Sequence, residues 1–194
     1  NRWVHLAFVS SGPDFTLASN LSVYVDGVMQ TPSSSNNGDG FSSGEESSGI
    51  FTLGGRYWDN NRNMEADFQN VRVYNRALSA TEVATLYHRP WEGSNYGDIW
   101  PYSPPASTAM TLSTDTAATS IMADIEGWWV MTDGSGTTLK DISGNGRDAT
   151  LSGTNTWETE TLGTANRFDN TASRTSHAST ANTQPDLTSG YTFS

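Results

Sequence analysis

The sequence contains no cysteine and a single lysine, Lys140, among its 194 residues. Without cysteine the chain can form no disulfide, cannot use a thiolate as a nucleophile and cannot bind zinc through sulfur. Its 10 basic residues against 21 acidic ones give a formal net charge of −11. A surface that binds nucleic acid or anionic lipid needs clustered lysine and arginine, so we expect neither partner.

Long hydrophobic runs are also absent. None approaches the roughly 20 residues that a membrane helix requires, so we expect no membrane insertion. Aromatic residues nevertheless make up 11% of the chain and include 7 tryptophans. A disordered polar chain lacks the apolar surface that offsets the ordering entropy, so the composition predicts a folded protein. The length suits one β-sandwich or two incomplete modules.

Short β-patterned segments separated by turn residues run through most of the chain. Alternation at 21–25 is followed by Asp26-Gly27, which favours a type I′ hairpin because that turn needs positive φ at both central residues. Strands are predicted at 2–9, 21–25, 28–29, 50–53, 66–74, 125–131, 148–151, 166–169 and 191–193. The first of these is apolar at consecutive positions, which predicts a strand covered on both faces.

One helix is predicted over residues 79–88. Ser79 and Glu82 have the spacing of a capping box, and Leu78 and Val83 have that of a hydrophobic staple. Pro90 ends the helical pattern. Many strands with a single short helix predict an all-β fold, an antiparallel β-sandwich.

Two sets of motifs resemble one family. The first set lies in residues 1–90 and comprises Trp3 to Phe8, Leu21 to Gly27, Phe51 to Gly55 and Val71 to Ser79. The second set lies in residues 125–194 and comprises Gly127 to Trp129, Asp133 to Gly136, Asp141 to Gly146 and Tyr191 to Ser194. They resemble, respectively, the C-terminal and the N-terminal half of the laminin G-like, concanavalin A-like jelly-roll (lectin-glucanase) family. The resemblance implies a jelly-roll sandwich.

The two halves stand in the reverse of the family's order. A Pro/Ser/Thr-rich linker is predicted between them at 91–124. This order predicts a fragment of a tandem array, cut inside two neighbouring modules, or else a circularly permuted single module. In one compact body, the head half and the tail half are expected to complete a single sandwich, because unpaired sheet edges would otherwise be exposed.

The loop at 54–63 is the candidate for ligand recognition. Aromatic faces cover the C–H patches of sugars, while amides, carboxylates and arginine meet the hydroxyl groups. The predicted ligand-binding residues are Tyr57, Trp58, Asp59, Asn61 and Arg62. The alternative is that the two rings pack on the rim of the sandwich while the polar residues are solvated.

A calcium site is the candidate for a cofactor. Asp141, Ser143 and Asn145 place oxygen ligands at alternate positions before a glycine, as calcium loops do. The alternative is a hydrogen-bonded Asx turn. The resemblance adds that many relatives bind calcium with acids just before the valine-arginine strand, where this chain has Gln69-Asn70.

No catalytic residues are predicted, because the histidines form neither an HExxH pair nor a recognisable triad. The chain is predicted to be a non-catalytic carbohydrate-binding or adhesion module of a secreted, cell-surface or virion protein. Its expected partner is a glycan or an extracellular or virion protein, and assembly with neighbouring modules or chains is a further expectation. The alternative is a structural spacer or interaction sandwich in a larger extracellular or phage assembly, without sugar binding.

Overall fold

The computed structural model describes residues 3–12, 20–31, 51–55, 64–88, 121–160, 163–168, 176–181 and 190–194. In this part of the chain there are 13 β-strands and a helix of nine residues, α1 (Ala80–His88). The strands are β1 (Leu6–Ser10), β2 (Leu21–Val25), β3 (Val28–Gln30), β4 (Thr52–Leu53), β5 (Ala66–Phe68), β6 (Val71–Tyr74), β7 (Ile125–Trp129), β8 (Thr138–Leu139), β9 (Ala149–Ser152), β10 (Asn155–Glu160), β11 (Gly163–Phe168), β12 (His177–Thr180) and β13 (Tyr191–Phe193).

A six-stranded antiparallel sheet has the order β3-β2-β1-β13-β6-β7. Its central strand β13 comes from the end of the chain and lies between two strands from the beginning. Phe8 of β1 pairs with Phe193, and Tyr74 of β6 pairs with Thr192. The first and last described strands are therefore neighbours.

Two smaller antiparallel sheets complete the described strands, one with the order β4-β12-β9-β8 and one with the order β10-β11-β5. Each of the three sheets joins strands from residues 1–90 to strands from residues 125–194. This is the arrangement expected if the two halves complete one sandwich.

Hydrophobic clusters lie on both faces of the six-stranded sheet. On one face, Ala7, Val9 and Trp128 pack with Val83 and Leu86 of α1. The cluster on the other face joins this sheet to the two smaller ones, and its members include Val73, Trp129, Leu139, Leu151, Phe168 and Ala178. The predicted all-β antiparallel sandwich with a short helix is confirmed.

The predicted start of the helix is confirmed in detail. The Ser79 N–H donates to the Glu82 carboxylate at 2.8 Å, and the Glu82 N–H donates to Ser79 Oγ at 3.3 Å. The staple residues Leu78 and Val83 are both buried. These contacts satisfy free N–H groups of the first turn and direct the apolar face of α1 onto the sheet.

The predicted hairpin is also confirmed, since β2 and β3 pair directly across Asp26 and Gly27. Both turn residues have positive φ, 51° and 76°. This is the backbone conformation that a type I′ turn requires.

The predicted covering of the first strand on both faces is wrong. Ala7 and Val9 are buried, but Leu6 is 42% and Phe8 40% exposed. Leu6 and Phe8 lie on the face that the smaller sheets cover elsewhere, at β6 and β7. An apolar side chain is covered only where a second layer reaches it, which the pattern of one strand does not reveal.

The predicted linker 91–124 extends too far at its C-terminal end. Ile121 and Met122 are buried in the cluster beneath α1, because they supply apolar surface next to Trp128. Three strands were not predicted, β8, β10 and β12. β8 has only two residues, and the many polar residues of β10 and β12 hide the β pattern.

Candidate functional site

The loop chosen from the sequence is closed at its base by described residues. The Met64 N–H donates to the Gly54 carbonyl oxygen at 2.7 Å. Gly54 follows β4 in the four-stranded sheet, and Met64 precedes β5 in the three-stranded sheet. The two ends of the loop are therefore held together where the two smaller sheets meet.

Gly54 is also fixed by packing. Its φ is +81°, and a Cβ there would lie 3.0–3.2 Å from the ring of Phe168. That ring is fully buried and meets Phe68 edge to face, with 5.3 Å between the ring centroids. A glycine at this position lets the loop leave the sheet across the core, so the base of the loop has a defined geometry.

Tyr57, Trp58, Asp59, Asn61 and Arg62 lie outside the described residues. Their assignment as ligand-binding residues stays a prediction. The structure describes only the residues at the two ends of this loop, Gly54, Gly55 and Met64.

The described basic side chains are all engaged. Four are paired with carboxylates, in the pairs Arg76–Glu82, Lys140–Asp148, Arg147–Glu126 and Arg167–Asp67. The Arg72 guanidinium lies 4.4 Å from the centre of the Trp128 ring. The described surface therefore offers little to an anionic ligand, in keeping with the net charge of −11.

One of these pairs stands beside the loop base. Asp67 on β5 accepts two hydrogen bonds from the Arg167 guanidinium on β11, at 2.6 and 2.8 Å. Such a bidentate pair orients both groups firmly. It fixes β5 against β11 three residues after Met64.

The predicted calcium ligands form a hydrogen-bonded turn. Asp141 Oδ1 accepts the N–H groups of Trp128 and Ser143, both at 2.9 Å, and Oδ2 accepts that of Arg147 at 2.8 Å. Ser143 Oγ accepts the Asn145 N–H. The Asn145 amide nitrogen donates to the Ile125 carbonyl.

The Asx turn is therefore present, and it occupies oxygens that a calcium ion would need. Within the described residues no group of three or more His, Asp or Glu side chains has an arrangement that could hold a metal. Calcium at Asp141, Ser143 and Asn145 stays a prediction.

Asp133 and Asp148 are two carboxylates whose pKa values shift in opposite directions. Burial raises the pKa of Asp133. Burial acts in the same sense on Asp148, but hydrogen bonds from the Lys140 ammonium and the Asp141 N–H outweigh it and lower that pKa. Opposite shifts are what an acid–base pair needs. Here, however, both oxygens of Asp148 already accept hydrogen bonds, Oδ2 from the Lys140 ammonium and Oδ1 from the Asp141 N–H.

A polar cluster under α1, in which Arg72 is buried and His5 and Ser194 are partly buried, escaped the sequence reasoning. His5, Arg72 and Ser194 come together on the helix-covered face of the six-stranded sheet, from three separate parts of the chain. The one local signal is an arginine between the two valines of β6. Nothing in the sequence indicates that the strands carrying these residues are close.

Residues 1–84 match a laminin G family model described as the concanavalin A-like lectin/glucanases superfamily. Over these residues the chain is similar to members of the concanavalin A-like lectin/glucanase superfamily. The match runs from the residues before β1 into α1 and includes the whole loop 54–63. The suspected family is confirmed on this side of the chain, whereas the resemblance of residues 125–194 to the N-terminal half stays a prediction.

No curated protein and no solved structure matches the chain significantly. Among its described residues, no helix combines the length and hydropathy needed to cross a membrane.

Proposed function

We propose that this chain is a non-catalytic carbohydrate-binding or adhesion module that acts outside the cell, on a cell surface or on a virion. The observation that carries the proposal is the closed base of the loop 54–63, inside the part of the chain that matches the superfamily model. The 2.7 Å hydrogen bond from Met64 to Gly54 supports it by fixing where the loop leaves the sandwich.

The loop has the side chains that sugar recognition requires. Tyr57 and Trp58 offer aromatic faces, and Asp59, Asn61 and Arg62 offer hydrogen-bond acceptors and donors. Each stacking or hydrogen-bonding contact contributes about 1 kcal/mol net, so one module would bind weakly, with a Kd of roughly 0.1–1 mM. Display of several copies would supply useful avidity.

A glycan array probed with a multivalent display of the intact chain tests this proposal. Trp58→Ala should lower the signal about tenfold, because it removes the stacking face. Trp58→Phe should retain part of the signal, and thermal unfolding of each variant separates loss of binding from loss of fold. Equal signals from wild type and Trp58→Ala would place the site elsewhere, and no signal from any protein would favour the structural alternative.

The non-catalytic part of the proposal is supported by the way described carboxylates are used. Asp67, Asp141 and Asp148 each hold the fold together through both oxygens. The superfamily includes glucanases, so the test is turnover of a panel of polysaccharides. Hydrolysis that is abolished by Asp133→Asn would overturn the assignment, because Asp133 is the carboxyl with a raised pKa.

A second candidate is a structural or interaction module, favoured by the surface of β1, β2 and β3. These three strands contain no charged residue. Leu6, Val25 and Val28 are direct cross-strand partners, and Val28 is 64% exposed. An exposed apolar surface of this kind is typical of a contact with a neighbouring module or chain.

Sedimentation velocity tests the second candidate. Val28→Glu should reduce concentration-dependent association without changing stability by more than about 0.5 kcal/mol, because the side chain is exposed. Met64→Glu is the matched control, since Met64 is also an exposed apolar residue, at 52%, but lies outside these strands. A monomeric wild type at all concentrations would count against self-association through this surface.

A further inference from the structure

His5 joins four parts of the molecule. Its backbone N–H donates to Asp26 Oδ1 in the β2–β3 turn at 3.0 Å, and its ring Nε2 lies 2.8 Å from Ser194 Oγ. The ring centre is 5.8 Å from that of Tyr87 on α1. The imidazole therefore sits where the first strand, the end of the described chain and the helix meet.

The second ring nitrogen has no such partner. His5 Nδ1 is buried and makes no hydrogen bond. A neutral imidazole is compatible with these contacts if its proton is on Nε2, which then donates a hydrogen bond to Ser194 Oγ. Nδ1 then carries a lone pair and no proton. A second proton on Nδ1 would create a buried donor without an acceptor, which costs more than a free lone pair.

The charges around the ring also oppose protonation. Arg72 on β6 is buried and exchanges two backbone hydrogen bonds with Ser194, at 2.7 and 3.0 Å, so a second cation on His5 would lie beside it. Burial is the largest cause that lowers the pKa of His5, to about 4, and the Arg72 charge is the next. Asp26 acts in the opposite direction but does not compensate.

The other titratable groups on the packed elements are Tyr87, whose ring faces His5, its neighbour His88 and Glu82, all on α1, and Tyr74 on β6. The carboxylate of Glu82 lies in the first turn of the helix and is paired with the Arg76 guanidinium at 2.6 Å.

We propose that His5 is an acid-sensitive latch, whose protonation in the folded protein loosens the attachment of residue 194 and helix α1 to the first strand. The imidazole would then be hydrated and free to keep both protons. The strands next to His5 remain paired through their backbone hydrogen bonds. Protonation therefore first loosens the contacts around His5 and only at lower pH unfolds the whole protein.

The pH range of this effect is set by the pKa of His5 in the unfolded chain and by its pKa in the folded chain. An unfolded chain binds a proton at His5 below about pH 6.5, whereas the folded chain binds it only near pH 4. Between these values the unfolded state holds more protons, so stability must fall as the pH falls from 6.5 to 4. Above pH 6.5 this group adds no pH dependence.

Two measurements on the intact chain test the latch. NMR titration of the His5 ring should give a midpoint near pH 4, and amide exchange at Ser194 and along α1 should accelerate over the same range. A midpoint near 6.5, or unchanged exchange through the titration, would overturn the proposal. This measurement uses the wild type, so it does not depend on the folding of a variant.

Thermal unfolding provides the second measurement. Between pH 6.5 and 4, the wild type should lose about 2–4 °C more in Tm than His5→Gln, which cannot be protonated. His88→Gln is the matched control, because it removes an exposed imidazole from the end of α1. Parallel pH profiles for wild type and His5→Gln would contradict the latch.

Discussion

Gly127 lies directly against the indole of Trp129, two residues further along the same strand. A Cβ at residue 127 would be 2.4 Å from Trp129 Cη2 and 2.8 Å from Cζ3, closer than carbon atoms can approach. The indole cannot easily move, because it stacks on Phe51 at 5.2 Å and its Nε1–H donates to the Arg147 carbonyl at 2.9 Å. Because the buried Trp129 ring occupies this space, residue 127 must be glycine.

Gly127→Ala should therefore destabilise the protein by about 2–3 kcal/mol, the cost of overpacking a rigid core site. Urea denaturation followed by tryptophan fluorescence measures this change. Gly12→Ala is the control, since a Cβ there would meet only the Asn20 amide at an ordinary 3.4 Å. A cost for Gly127→Ala no greater than that for Gly12→Ala would show that the indole can shift.

Asp141 should be a major contributor to stability. Its carboxylate accepts three backbone N–H groups, two from the turn and one from Trp128 of β7, so Asp141→Ala should cost about 2–3 kcal/mol in chemical denaturation. Ser143→Ala, which removes one acceptor from the same turn, should cost about 1 kcal/mol. Equal costs for the two variants would contradict the assigned role of the carboxylate.

Calcium binding at the same turn is expected to be weak. An ion would compete with the backbone donors for the Asp141 oxygens, so we expect an effect only near the millimolar range of extracellular calcium modules, about 1 mM. Thermal unfolding of the wild type should then shift upward as calcium is added, and Asp141→Asn should lose the shift. An unfolding temperature that does not change with calcium would remove calcium as a cofactor at this turn.

Glu82 should contribute to acid denaturation. Hydrogen bonds from the Arg76 guanidinium, together with those from Ser79, overcome the effect of burial and lower the pKa of Glu82 to about 2. A lowered folded-state pKa stabilises the protein above about pH 4.5, and this contribution is lost as the pH falls through 4.5 toward 2. Glu82→Gln should flatten the decrease in stability over this range, measured by urea unfolding at each pH.

The control for that experiment is Glu65→Gln, because Glu65 is an exposed carboxyl outside the helix. Identical acid profiles for Glu82→Gln and the wild type would contradict the role of the ion pair.

Asn70 should be sensitive to substitution for two separable reasons. Its φ is 56°, a left-handed conformation, and its side-chain oxygen accepts the Trp128 Nε1–H at 2.7 Å. Asn70→Ala should cost about 2 kcal/mol, from backbone strain and the unpaired indole donor together. Asn70→Gly should cost about half as much because it removes only the acceptor, and Asn70→Asp should cost least. Equal values for Ala and Gly would exclude the backbone contribution.

The amino-acid sequence by itself determined the local structures of this protein. The Asp26-Gly27 turn and the capping box of Ser79 and Glu82 involve residues within a few positions of each other. Their backbone preferences and hydrogen bonds do not depend on contacts with distant strands, so the residue pattern is sufficient to predict them. The sandwich class followed from the same patterns and from the family motifs.

Only the tertiary structure decided which strands are neighbours and what each polar group does. A strand's period of two says which side chains share a face, but not which other strand lies beside it or whether a second layer covers that face. That is why the pairing of Phe8 with Phe193, the exposure of Leu6 and the position of His5 beside Ser194 could not be read from the sequence. The Asp141 oxygens are a mixed case, because the turn was foreseen as an alternative while the backbone donor from β7 is supplied by a strand that the fold brings to it.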